Sequence, residues 1–181
     1  NTIIVFTADH GEMAGDHGML EKRTFYEESS KVPLLMHVPW LKDQAGTIPG
    51  NIGHIDLIPT LLDLMNQPRH EQLQGVSRAG SLTGDKSLEE NDVFVQWNGA
   101  GDRDIGSAEA NAFGAVPRRS VVASRRTTDG DLQRWKLNLS ADDLGELFDL
   151  TQDPYEMINL FDQPDYRDLI VDLAARIKAW Q

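Results

Sequence analysis

Ile3-Ile4-Val5-Phe6 is an unbroken apolar run, and it gives way at once to Thr7-Ala8-Asp9-His10-Gly11-Glu12. An apolar, β-branched run is expected of a parallel strand covered on both faces. The residues after it are those an open α/β sheet presents at the carboxyl end of a strand, where ligand sites lie. Asp9 offers hard oxygen and His10 imidazole nitrogen, a donor pair suited to a divalent cation. Neighbours in a regular strand point to opposite faces, so both can reach one ion only where the strand ends and the backbone turns. Gly11 permits that turn. A strand-end turn with no metal has the same residues, and taken alone they favour that plainer reading.

The rest of the chain divides by texture. Residues 32–38 are a second candidate strand, with Pro33 near its start and Pro39 ending it. Asp56 can cap a helix over residues 57–65, in which Pro59 is tolerable in the first turn. Leu57, Ile58, Leu61, Leu62 and Met65 then form one apolar stripe. Residues 69–90 are polar and glycine-bearing and read as a connector. Beyond them, residues 93–97, 120–124, 134–139 and 146–150 are short strands. Asp129-Gly130-Asp131 and Asp142-Asp143 separate the later ones, which predicts an antiparallel sheet. Residues 165–180 read as a helix behind Pro164, with Leu169, Ile170, Leu173, Ala174, Ile177 and Trp180 lining the face that packs on that sheet. Residues 99–117 form a Gly/Ala-rich loop, the kind of long loop that is functional or disordered.

The stretch TADHGEMAGDHGMLEKRTFYEESSKVPLLMHVP closely resembles the sulfatases of the alkaline phosphatase superfamily. The similarity continues through His54-Ile55-Asp56-Leu57-Ile58-Pro59-Thr60-Leu61-Leu62. It returns as Glu146-Leu147-Phe148-Asp149-Leu150-Thr151-Gln152-Asp153-Pro154, with Asn159-Leu160, and covers most of the chain except residues 99–117. The resemblance implies an α/β fold. Residues 1–68 would be the C-terminal part of an alkaline-phosphatase-like parallel-sheet domain, and residues 91–181 a small antiparallel sheet with a C-terminal helix. It also implies that Asp9 and His10 bind a divalent metal, calcium first with magnesium or manganese as alternatives, and that Lys22 contacts sulfate oxygens. An ammonium there has a mechanistic reason, because sulfuryl transfer spreads charge over equatorial oxygens. His17 can orient substrate or assist proton transfer; it can equally hold the loop by a backbone hydrogen bond.

Family members take their nucleophile, formylglycine, from a Cys/Ser-x-Pro-x-Arg motif. This chain has no cysteine and no Ser-x-Pro-x-Arg. Two further metal-binding aspartates of the family come from an N-terminal strand end and have no counterpart upstream of Asn1. The chain is therefore expected to be the C-terminal portion of a longer hydrolase of sulfate monoesters, inactive alone. It is also expected to self-associate through an exposed sheet edge. The substrate would be a small sulfate ester or a sulfated glycan. The runner-up is a phosphonate monoester or phosphodiester hydrolase of the same superfamily; a non-catalytic C-terminal module is the alternative outside enzymes.

Charge restricts the partners. The formal net charge is −12, which argues against non-specific nucleic-acid binding, since that relies on clustered Lys and Arg. No run approaches the roughly 18 apolar residues of a membrane span. For Glu12, Asp16 and Glu21, loop hydrogen bonds and caps are the favoured roles. Glu27 and Glu28 read as a solvated helical face, and His54 as ordering its helix start. Arg118-Arg119 and Arg125-Arg126 read as partners of surface carboxylates rather than an anionic-substrate patch. Trp97 and Trp135 read as core indoles rather than sugar platforms. Asn138-Leu139-Ser140 fits a glycosylation sequon but lies in an expected strand.

Overall fold

The computed structural model describes residues 1–41, 45–99, 115–141 and 145–181. The first strand, β1 (Ile4–Phe6), pairs antiparallel with β2 (Leu35–His37), in the register Ile4 to His37, Val5 to Met36 and Phe6 to Leu35. The pairing within this chain is thus antiparallel, where the apolar run alone suggested a parallel strand. The intervening loop and the single helical turn α1 (Glu27–Ser30) bring the chain back in the opposite direction. Within the chain β1 is covered on one side: Ile4 and Phe6 are exposed, as is Leu35 opposite Phe6.

Helix α2 (Leu57–Leu64) follows a 3-10 turn, His54–Asp56. Two expectations fail there. Ile58 and Met65 of the apolar stripe are exposed, while Thr60 is buried. Asp56 makes no side-chain cap. Its Oδ1 instead accepts the Val76 amide at 2.7 Å and its Oδ2 the Arg78 guanidinium at 2.7 Å. The Thr60 hydroxyl donates to the Asp56 carbonyl at 2.6 Å and accepts the Arg78 amide at 2.9 Å. A buried carboxylate must be paired, and the connector supplies the partners, which ties it and its short helix α3 (Ala79–Leu82) to α2.

The second sheet is antiparallel in the order β3-β4-β5-β6, comprising Val93–Trp97, Arg118–Arg126, Leu132–Ser140 and Glu146–Asp149. Alternation decides its two faces. Val121, Ala123, Trp135, Leu137 and Leu147 form one buried cluster with Leu173 and Ile177 of the C-terminal helix α4 (Arg167–Trp180). Leu169, Ile170 and Ala174 pack at its edge, as the helical spacing predicts. Trp180 stacks on Phe94 of β3, ring centroids 5.0 Å apart. Trp135 is a core indole as expected; Trp97, at the sheet edge, is exposed.

The opposite face is half polar. Ser120, Val122, Ser124, Lys136, Asn138 and Phe148 are buried there, and Tyr26 packs on Val122, Phe148 and Leu150. This face is laid over the segment that follows Lys22. The sequon is unavailable: Asn138 is buried, and its amide nitrogen donates to Glu146 at 3.0 Å. Arg125 pairs with Asp172, and Arg126 with Glu89 and Glu90, as expected of arginines among carboxylates. Asp142-Asp143 and most of the 99–117 loop lie outside the described residues. No helix among the described residues is long and apolar enough to cross a membrane.

Candidate anion and metal site

Where β1 ends, the backbone turns through Asp9-His10-Gly11, and the Gly11 amide donates to the Ser29 carbonyl at 2.8 Å. The approach is close enough that a Cβ on Gly11 would lie 1.9 Å from the Glu28 carbonyl oxygen. Glycine is needed here because the chain passes against α1.

The turn aims two donors at one place. His10 Nε2 lies 3.5 Å from Asp9 Oδ2. His10 Nδ1 lies 2.7 Å from the Gly11 carbonyl. A carbonyl oxygen only accepts, so Nδ1 carries a proton, and in the neutral ring the lone pair is on Nε2. Locking the second ring nitrogen onto a carbonyl is how proteins orient a metal-binding imidazole. Lys22 Nζ lies 2.6 Å from His10 Nε2. The structure therefore brings Asp9, His10 and Lys22, three of the four residues singled out in the sequence, to one point.

The donor set fits a divalent cation in part. Ligand atoms about 2.1–2.5 Å from an ion on adjacent octahedral positions stand roughly 3–3.5 Å apart, which the Asp9–His10 separation matches. Asp9 is open to solvent, with its side chain 87% exposed. Among the described residues no group of three or more His, Asp or Glu side chains converges on such a point. Asp9 and His10 alone would supply only two ligands of a set that needs more.

The neighbouring acids serve the loop. Glu12 Oε1 accepts the Glu21 amide at 2.6 Å, and the Met13 amide donates to the Glu21 carbonyl at 2.8 Å. Glu21 pairs with Arg23 at 3.0 Å. His17, in left-handed backbone with φ 53°, stacks on Tyr26 rather than bonding the backbone by its ring. The Tyr26 hydroxyl donates to Glu146 of β6 at 2.9 Å.

One cluster escaped the sequence reading. Glu27 is not solvated: its Oε1 lies 2.8 Å from Lys136 Nζ, and Lys136 lies 3.0 Å from Glu156. Burial alone would raise the Glu27 carboxyl; the Lys136 ammonium, with Lys31 and Arg134, outweighs it and holds the group below the usual carboxylate range. Burial pushes the Glu156 carboxyl up, against the pull of Lys136.

Comparison with known proteins bears on this arrangement. Residues 15–103 match the family model described as N-sulphoglucosamine sulphohydrolase, C-terminal. The N-acetylglucosamine-6-O-sulfatase of Bacteroides thetaiotaomicron is 30% identical over 166 residues, covering 92% of this chain and 27% of that protein. The phosphonate monoester hydrolase of Agrobacterium radiobacter superposes with a TM-score of 0.73 at 27% identity, over 98% of this chain and 34% of the other. A structure solved in complex with its substrate, D-glucosamine-2-N,6-O-disulfate, superposes with a TM-score of 0.77 at 23% identity, over 99% and 34%. The chain thus spans about a third or less of the length of the relatives it matches.

Proposed function

We infer, from this chain's place in the sulfatase family as a C-terminal portion, that it forms part of a sulfuric ester hydrolase and supplies one corner of its anion site. Asp9 and His10 would hold a divalent cation, calcium in the first instance and magnesium or manganese as alternatives. When bound, that ion supplies Lewis-acid polarisation of the ester. Lys22 binds the tetrahedral anion. Its ammonium is a compact point charge on a flexible stem; here it faces Nε2 of His10, and it would leave that nitrogen to meet sulfate oxygens when His10 ligates a cation. With Nδ1 against the Gly11 carbonyl, the His10 ring turns Nε2 toward Asp9 and Lys22.

A formylglycine nucleophile made from cysteine would lie outside this sequence, which has no cysteine. For the substrate, the similarity to an N-acetylglucosamine-6-O-sulfatase supports a glycan sulfate. The observation that carries the reading is the meeting of Lys22 Nζ and His10 Nε2 at 2.6 Å beside Asp9.

The test is an assay of the intact enzyme on matched aryl sulfate and aryl phosphonate esters, with calcium and with chelator. Sulfate turnover should dominate and depend on the metal. Lys22→Ala and Asp9→Ala should each lower kcat/KM about 10²-fold or more, and calcium should raise the melting temperature of the parent protein but not of Asp9→Ala. A dominant phosphonate rate would favour the second reading, which rests on the phosphonate monoester hydrolase likeness. Full activity in Lys22→Ala would remove Lys22 from the site.

A further inference from the structure

Lys136 is a buried charged side chain facing the 25–27 segment, at 1% exposure. Taking an ammonium out of water costs several kcal/mol unless its donors are met. Lys136 Nζ donates to the Phe25 carbonyl at 2.8 Å and forms ion pairs with Glu27 Oε1 at 2.8 Å and Glu156 Oε1 at 3.0 Å. Glu156 in turn accepts the Glu27 amide on Oε2 at 2.6 Å. The pair therefore grips the backbone of residues 25 and 27 as well as a side chain. Glu156 does this from left-handed backbone, φ 54°, a conformation that costs about 1 kcal/mol or more for a non-glycine residue and that the fold retains.

The grip leads to the site. Residues 25–27 run into α1, whose Ser29 makes two contacts. Its hydroxyl donates to the Lys22 carbonyl at 2.9 Å, and its carbonyl accepts the Gly11 amide at 2.8 Å. One residue thereby ties the backbone of Lys22 to the backbone next to His10. We propose that Lys136 is a positioning residue for the Asp9–His10–Lys22 corner: from β5, through Phe25–Glu27 and Ser29, it sets where Lys22 stands relative to His10. The functional meaning rests on the anion-site reading above; the mechanical coupling does not.

Lys136→Met alone would strand two carboxylates. The variant to compare in the intact protein is therefore Lys136→Met/Glu27→Gln/Glu156→Gln, which leaves no charge of the triad behind. Hydrogen exchange followed by mass spectrometry should show exchange of residues 9–13 and 22–30 accelerated about ten-fold, the equivalent of one lost hydrogen bond, with β4 and β5 unchanged within about two-fold. Calorimetry with inorganic sulfate should show about ten-fold weaker binding. Ser29→Ala, which touches no buried charge, should loosen residues 22–26 and weaken sulfate in the same direction with the melting temperature nearly unchanged. Unaltered exchange at residues 9–13 in the triple variant, or acceleration shared equally by β4 and β5, would overturn the proposal, since a merely structural residue would act on the whole sheet. If exchange responds as stated and neither parent nor variant binds sulfate, the positioning role stands and the anion-site reading falls.

Discussion

The imidazole of His17 lies flat against the phenol of Tyr26, ring centroids 3.9 Å apart and planes within 4°. The stack gives a strained loop residue a fixed ring orientation, and the Tyr26 hydroxyl, bonded to Glu146, pins the stack to β6. Burial, and then the Glu146 carboxylate, push the Tyr26 phenol well up, so it stays a donor across the working pH range.

Tyr26→Phe should therefore cost roughly 1.5–3 kcal/mol, the range for a hydrogen bond to a charged group, and keep the stack. Tyr26→Leu should lose about 0.5–1.5 kcal/mol more. Urea denaturation measures both. The ring-proton shifts of His17 should move in the leucine variant and hold in the phenylalanine one; equal shifts in both would mean the stack does not persist in solution.

Glu27→Gln should destabilise the protein at neutral pH by about 1.5–3 kcal/mol. The parent carboxyl titrates lower in the folded state than in the unfolded state. Its contribution is therefore complete above the ordinary carboxylate pKa and is lost as pH falls through the lowered folded value. Denaturation curves of parent and variant should converge on acidification. Glu156, with its folded carboxyl raised, contributes with the opposite sign, opposing folding as pH rises through the carboxylate range, so Glu156→Gln should be milder at neutral pH than Glu27→Gln. A pH-independent gap for Glu27→Gln would contradict the pairing with Lys136.

Gly11→Ala would place a Cβ 1.9 Å from the Glu28 carbonyl oxygen, so the backbone has to move. Overpacking of this kind costs about 1–3 kcal/mol. Because the displaced residue adjoins His10, the thermal stabilisation by calcium proposed above should fall as well. Parent-like values in both measurements would show that the turn is not confined by α1.

Leu173→Ala should cost about 2–5 kcal/mol, since Leu173 is fully buried between α4 and the sheet. Val171→Ala, two residues away and 63% exposed, should stay within about 0.5 kcal/mol. Comparable losses at the two positions in denaturant would contradict the assigned face of the helix.

Local patterns carried much of this fold. The helical spacing from Leu169 to Ile177 identified the face that packs on the sheet; of the expected strands, 93–97 reappears unchanged, 120–124 and 134–139 extend at both ends, and 146–150 ends one residue earlier. Asp9, His10 and Lys22 were legible because they fall within one short stretch that resembles a known family. What was not legible depends on distant partners. Asp56 reads as a cap, yet Val76 and Arg78 claim its carboxylate. Lys136, between Trp135 and Leu137, alternates onto the face opposite the core and so reads as solvent-facing. Its burial depends on Phe25 and Glu27, more than a hundred residues earlier. Periodicity can say which side of a sheet a lysine occupies; it cannot say that another stretch of chain will cover that side.

The ion-paired lysine buried under the sheet also limits how such proteins can be recombined. A chimera that borrowed its last four strands from a cousin would inherit a cation, or its substitute, shaped to a different stretch of residues 25–27. Domain shuffling in this group is therefore expected to succeed when the donor's equivalents of Phe25, Glu27, Lys136 and Glu156 travel as one cassette, and to give mismatched hybrids when the crossover point falls between them.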